Sequence, residues 1–203
     1  MPDRPRASPL RVALTVTEGL RDRFCLLTGT GFRLRSRVGC TVREFLCRQL
    51  GVSPDYLAER IQTLFLNGLV VDDPNTAIVT AGSTLALSAA MPGLAGAMFR
   101  KGSRYAPLRS QLTYDDRHTA AAAEREGDVV VKLFNMVQRE FGPEFLRQGI
   151  QIPGLALCRL LRRRPDAFRS GILAAEIDGE PVSPDLLFAD DWSPDEILLT
   201  VCC

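Results

Sequence analysis

The sequence has a single histidine, His118, and a single tryptophan among its 203 residues. The chain also has no excess of charge of either sign, because 25 Lys and Arg residues are balanced by 24 Asp and Glu residues. The resulting net charge of +1 gives no general attraction to nucleic acid or to anionic membranes. No apolar run approaches the roughly 20 residues that a membrane-spanning helix requires. Residues 1–6 are polar and proline-rich with no apolar segment behind them, so we predict a cytoplasmic protein without a signal peptide.

Motifs for the common classes of catalysis are missing as well. The cysteines include no C-x2-C pair, so zinc-ribbon spacing is absent, and the adjacent Cys202 and Cys203 are typical of a frayed strand end. Residues 28–31 (Thr-Gly-Thr-Gly) lack the Lys-Ser/Thr of a phosphate-binding loop. The acidic pairs at 72–73 and 190–191 suit a metal or acid–base chemistry, but their recurrence favours a role in turns. We predict no enzyme, no cofactor and no metal site.

What the sequence does contain is an internal repeat. A shift of 111 residues places residues 46–71 on residues 157–182 without a gap, and nine of the 26 pairs are identical. Further upstream, a shift of 117 places Val12, Leu14 and Val16 on aliphatic residues at 129, 131 and 133. The chain is therefore predicted to hold two copies of one structural unit.

Each copy has the same order of predicted elements, namely strand, strand, helix, a strand that continues into a hairpin, a short irregular piece and a final strand. Thr41 and Glu44 form the pattern of a capping box ahead of a helix over 42–50. Asn67-Gly68 and Asp178-Gly179 predict tight hairpin turns, because type I′ turns require positive φ at both central residues. The predicted strands cover residues 11–17, 32–38, 63–66, 69–71 and 84–89 in the first copy, and residues 128–134, 146–152 and 196–201 in the second.

This order of elements resembles the β-grasp (ubiquitin-like) fold. The likeness depends on residues 66–68 (Leu-Asn-Gly), the turn at 82–83 (Gly-Ser) and residues 91–96 (Met-Pro-Gly-Leu-Ala-Gly), which make the first copy similar to the MoaD and ThiS sulfur carriers. The resemblance implies an α+β protein of two tandem β-grasp domains, each a mixed sheet with one main helix packed on one face. The predicted organisation is a polar tail (1–9), a first domain (10–98), a partly helical linker (99–127) and a second domain (128–203).

The carriers that the first copy resembles end in a free Gly-Gly tail, and this chain departs from them. It has Ala95-Gly96 at that place and continues beyond it, while the second copy ends in cysteines. A carrier function would therefore require cleavage after Gly96. We keep this as an alternative, with a small enzyme that uses acids and arginines between the two domains as a second alternative.

The first hypothesis is a non-enzymatic adaptor that binds a partner protein. In the segment after Gly96, aromatic and apolar residues alternate with basic ones, and such a segment either docks on a domain or presents a strip to a partner. The basic residues at 159 and 162–164 favour a solvated helix face over phosphate contacts, so no nucleic acid is expected. The candidate binding residues are Gly93, Leu94, Gly96, Phe99, Arg100, Lys101, Arg104 and Tyr105.

Overall fold

The computed structural model describes residues 8–90, 93–114, 123–189 and 194–203. The strands are β1 (Leu10–Val16), β2 (Phe32–Val38), β3 (Thr63–Leu66), β4 (Leu69–Val70), β5 (Thr84–Ser88), β6 (Arg125–Phe134), β7 (Ile150–Pro153), β8 (Ile172–Ile177), β9 (Glu180–Val182) and β10 (Glu196–Cys202). The α-helices are α1 (Glu18–Phe24), α2 (Leu26–Thr30), α3 (Val42–Glu44), α4 (Pro54–Glu59), α5 (Gly93–Phe99), α6 (Asn135–Gln148), α7 (Gly154–Arg163) and α8 (Pro165–Gly171). The predictions for residues 91–92, His118 and the acidic pair 190–191 lie outside the described residues.

The chain divides into two compact units, one built from two separate stretches of sequence and the other from the stretch between them. The terminal unit combines Met1–Thr30 with Pro143–Cys203, and the central unit is Gly31–Gly142. These bounds differ from the sequence-based domain bounds of 10–98 and 128–203.

The central unit contains five strands in the order β4-β3-β5-β6-β2. β5 and β6 are parallel, and the other neighbouring pairs are antiparallel. Leu85 lies opposite Val131, and Leu64 lies opposite Leu87, so alternate residues of neighbouring strands share one buried face. Phe45, in the π-helical turn Phe45–Gln49 that follows α3, is fully buried.

The terminal unit contains five strands in the order β7-β10-β1-β8-β9. Here β1 and β10 are the parallel pair, and Leu14 lies between Val201 on one side and Ala175 on the other. All three of these residues are buried. On the helical side, the rings of Phe24 in α1 and Phe168 in α8 meet edge to face with centroids 5.3 Å apart. This geometry adds a directional contact to the burial of both rings.

The prediction of two tandem β-grasp domains, each with one main helix, is wrong. β1 belongs to the first repeat copy but pairs with β8 and β10 of the second. β6 belongs to the second copy but pairs with β2 and β5 of the first. Several helices occur in each unit rather than one, and Leu146, predicted in a strand, lies in α6. Each unit therefore contains strands from both repeat copies.

The two exchanged strands are those that the internal repeat aligns with each other. Both carry alternating aliphatic residues, and all of these are buried: Val12, Leu14 and Val16 in β1, and Val129, Val131 and Leu133 in β6. Because the strands of either unit can bury such a face, the alternation predicts a half-buried strand but does not predict which strands lie beside it.

Three local predictions are confirmed, namely the capping box, the tight turns and the shared order of elements in the two aligned segments. The side chain of Thr41 accepts a hydrogen bond from the Glu44 amide while Glu44 bonds back to the Thr41 amide, which completes the capping box. Asn67 and Asp178 adopt positive φ, each followed by a glycine that also does. Residues 46–71 and 157–182 share the order helical turn, helix, strand, tight turn, strand.

Candidate functional site

The segment of residues 93–114, termed the interaction segment, is held in the central unit by the buried side chain of Arg109. The guanidinium is fully buried, which is unusual for a permanently charged group. Its Nε donates to the carbonyl of Met98 at 2.6 Å, and its Nη1 donates to the hydroxyl of Thr113 at 2.8 Å. Arg109 thereby ties together both ends of the segment.

Asp72 supplies the counter-charge for Arg109 from the loop after β4. Its two carboxylate oxygens lie 2.7 Å and 3.2 Å from the two terminal guanidinium nitrogens, so the pair is bidentate. One of these oxygens also accepts a hydrogen bond from the amide of Gly102 at 3.0 Å. Paired and hydrogen-bonded in this way, the buried cation avoids the cost of an isolated charge.

Lys101 and Phe99 add two further contacts between the interaction segment and the rest of the central unit. The Lys101 ammonium donates to the carbonyl of Leu57 at 2.7 Å, and burial lowers the pKa of this amine. The rings of Phe99 and Phe65 pack with centroids 5.6 Å apart. Of the two arrangements expected for this segment, the structure therefore shows docking on a folded unit.

The same segment also presents apolar residues to solvent. Leu94 is 72% exposed, Leu108 is 74% exposed and Leu112 is 47% exposed. The interaction segment contains four basic residues and no acidic one. Two of the basic side chains point to buried partners, whereas Arg100 and Arg104 are exposed. Its outer side is therefore apolar and basic.

The candidate residues from the sequence divide between the two sides of the segment. Gly93 begins α5 with φ +72° and is exposed, as is Leu94, while Gly96 is buried inside α5. The guanidinium of Arg104 lies 5.0 Å above the ring of Tyr105. The sequence placed Leu108 and Arg109 in the segment after Gly96, but the candidate binding residues omitted both of them and Leu112, and the anchoring role of Arg109 was not predicted. The absence of acids from residues 74–114 was a visible signal for this basic segment.

Cys40 lies in a depression of about 290 Å³ in the central unit, lined also by Arg37, Glu44, Arg48 and Gln49. Its thiol contacts the side-chain amide of Gln49 at 3.6 Å. Burial raises the pKa of Cys40, which favours the unreactive thiol over the nucleophilic thiolate. Glu44 is engaged in the capping box. This depression therefore lacks an activated nucleophile.

Tyr56, Arg60 and Glu140 form a second polar cluster in the central unit. The Tyr56 hydroxyl donates to Glu140, and Arg60 donates to the same carboxylate at 2.6 Å. Burial, together with Glu140, raises the pKa of Tyr56 above its ordinary value. The Tyr56 ring also packs edge to face against Phe141, 4.8 Å between centroids. These contacts fasten α4 to the start of α6, which is a structural role.

Within the described residues, no group of three or more His, Cys, Asp or Glu side chains is placed to hold a metal ion. No helix in the same ranges has the length and apolar character needed to cross a membrane. Comparisons with protein-family models, with curated proteins and with solved structures gave no match.

Proposed function

We propose that this chain is a non-enzymatic protein-binding module whose interaction segment contacts the partner. The observation that carries the proposal is the contrast between the two sides of this segment. One side is fixed by the fully buried Arg109, and the other holds Leu94 and Leu108 more than two-thirds exposed. A segment rigidly anchored in this way loses little conformational entropy when a partner covers it.

The energetics of burial favour a partner with an apolar depression. Complete burial of one leucine side chain is worth about 2 kcal/mol, so the three exposed leucines of the segment offer several kcal/mol to a complex. Arg100 and Arg104 lie between Leu94 and Leu108 in the sequence, and residues 93–114 contain no acid that could neutralise these charges. We infer a partner protein that carries an acidic rim around its apolar depression, since such complementarity steers association.

The carrier alternative requires hydrolysis of the peptide bond between Gly96 and Ala97. Gly96 is buried within α5, and the helix would have to open before a protease reached that bond. Intact mass measurement of the protein from its native cells tests this alternative directly. A species that ends at Gly96 would favour a carrier over an adaptor.

The adaptor proposal is tested by cross-linking and affinity capture with the full chain in its native cells. The test variant is the double substitution Leu94→Ser and Leu108→Ser, which removes two exposed apolar groups from the segment. The matched control is Leu173→Ser, because Leu173 is 63% exposed but lies on β8 in the terminal unit. Thermal unfolding of all three proteins establishes that each is folded.

We expect at least one protein that is captured by the wild type and the control and is lost from the double variant. We also expect the lost protein to carry an acidic surface around an apolar depression. If the double variant retains every protein that the Leu173→Ser control retains, the interaction segment is not the binding surface and the proposal fails.

A further inference from the structure

A basic depression in the terminal unit is a second candidate surface, with a volume of about 420 Å³. It lies where the end of α1 and the start of α2 meet the junction between α7 and α8. Three arginines and three apolar residues line it: Arg23, Arg163, Arg164, Leu26, Leu160 and Phe168. We term it the arginine groove.

Among the residues that the structure describes, the three arginines of the groove have no bonded counter-charge. None of them makes an ion pair or a side-chain hydrogen bond with any residue that the structure describes. Arg23 comes from α1, whereas Arg163 and Arg164 come from the α7–α8 junction about 140 positions later in the sequence. Like charges gathered from distant parts of a chain repel one another, so the fold itself gains nothing from this placement.

Arg169 is an arginine of the same unit whose charge is paired with a carboxylate of the protein. Arg169 lies on α8 next to the groove, but its guanidinium pairs with Asp185 at 2.8 Å and stacks on the ring of Phe188 at 4.4 Å. A neighbouring arginine of the same unit is therefore paired within the protein, while Arg163 and Arg164 line the groove and bond to no acidic side chain in the described ranges.

The apolar residues that line the arginine groove favour an acidic peptide over a single-stranded nucleic acid as its ligand. Leu26 is half exposed at the groove, and Leu160 and Phe168 lie beneath. Proteins that bind single-stranded nucleic acid stack bases on exposed aromatic rings, but Phe168 is buried against Phe24. A peptide that carries both carboxylates and an apolar side chain matches the lining better, because arginine forks bind carboxylates in a bidentate manner.

We propose that the arginine groove binds an acidic segment of a partner protein, with Asp or Glu carboxylates on Arg163 and Arg164 and an apolar side chain against Leu26. Arg23 provides a third cationic contact on the opposite wall. This surface belongs to the terminal unit and does not depend on the interaction segment of the central unit.

The test uses the purified full chain and a displayed library of random 12-residue peptides. The groove variant is the double substitution Arg163→Ala and Arg164→Ala. The matched control is Arg43→Ala with Arg139→Ala, which removes the same charge from exposed positions of the central unit. We expect selected peptides to be acidic with at least one large apolar residue, and to bind the groove variant about tenfold or more weakly than the control.

The remaining outcomes each decide against the proposal. Selected peptides without net negative charge, or equal binding to the groove variant and the control, would show that the groove is not an acidic-peptide site. A labelled 20-residue single-stranded oligonucleotide is measured in parallel. If it binds in an Arg163- and Arg164-dependent way while no acidic peptide does, the ligand is nucleic acid and the proposal is overturned. Failure at the groove leaves the Leu94 and Leu108 experiment unaffected, so the two proposals are separable.

Discussion

Asp72 and Arg109 are 37 residues apart in sequence and form a bidentate ion pair in which the cation is fully buried and the carboxylate is 32% exposed. The pair gives the interaction segment a fixed position, since Arg109 also binds carbonyl oxygens of Met98 and Arg100. The buried Arg109 cation therefore depends on the Asp72 carboxylate for its counter-charge.

Replacement of Asp72 by alanine should lower the free energy of unfolding by roughly 2–3 kcal/mol, because the substitution leaves Arg109 buried without its counter-charge. The control is Asp73→Ala, which removes a neighbouring exposed carboxylate whose hydrogen bonds within the described part of the chain go to Asn75. Urea unfolding of both variants gives the comparison. Equal destabilisation by the two substitutions would show that the ion pair is not what stabilises this region.

Replacement of Gly154 by alanine should strongly destabilise the terminal unit. Gly154 begins α7, and a methyl group there would clash with the carbonyl oxygen of Pro194. We expect a loss of about 2 kcal/mol or more, because backbone atoms cannot move aside as a flexible side chain does. Gly19→Ala is the control: nothing lies within 4 Å of its added methyl group, so its unfolding temperature should not fall. A Gly154→Ala protein as stable as the wild type would contradict this packing.

Acid should weaken the contact between α4 and α6. Hydrogen bonds from Tyr56 and then Arg60 lower the pKa of Glu140 below its ordinary value of 4.5. The folded protein therefore binds a proton at Glu140 more weakly than the unfolded chain does. The stabilisation of the folded state by ionised Glu140 is present above pH 4.5 and is lost as pH falls through the pKa of the folded protein. The free energy of unfolding, measured in urea at several pH values from above 4.5 downward, should depend less on pH for Glu140→Gln than for the wild type.

Glu59→Gln provides the reference for that measurement. Glu59 is an exposed glutamate at the end of α4 and has no side-chain partner among the described residues. Its substitution removes a carboxylate from α4 and leaves the contacts of Tyr56, Arg60 and Glu140 in place. If Glu140→Gln and Glu59→Gln behave alike, the Glu140 cluster does not contribute to stability.

The six cysteines should react with iodoacetamide at very different rates. Cys202 and Cys203 are exposed, whereas Cys25 is buried and its pKa is raised by burial to about 11. Because only thiolates react, the folded protein at mildly alkaline pH should gain two labels quickly and resist labelling at Cys25. Peptide mass mapping identifies the labelled positions, and denatured protein should label at all six. Rapid labelling of Cys25 in the folded protein would contradict its burial between α1 and α2.

Local structure was predictable from the sequence because its determinants are local. The Thr41–Glu44 box and the Asn67-Gly68 turn each require residues within three positions of one another, and both are present. Strand β2 also matches the predicted range of 32–38. Such features depend on backbone geometry and short-range hydrogen bonds, which the neighbouring residues decide.

Strand partnership was not predictable, and neither was the candidate site. β1 and β6 bury the same kind of face, so the alternation of apolar residues gives neither strand a preference for one unit over the other. Arg109 appeared as one basic residue among several, and only the fold brings Asp72 to it. The arginine groove likewise depends on a meeting of α1 with the α7–α8 junction, which no spacing in the sequence indicates.

The exchange of β1 between repeat copies has a consequence for biosynthesis. Leu10 pairs with Ile197, so β1 must remain without its parallel neighbour until β10, which lies far downstream in the sequence, has been translated. Nascent chains with such distant pairings fold slowly and expose apolar strand residues in the meantime. The terminal unit can therefore be completed only after β10 has been synthesised, and until then Val12 and Leu14 lack the parallel strand that they lie beside in the folded protein.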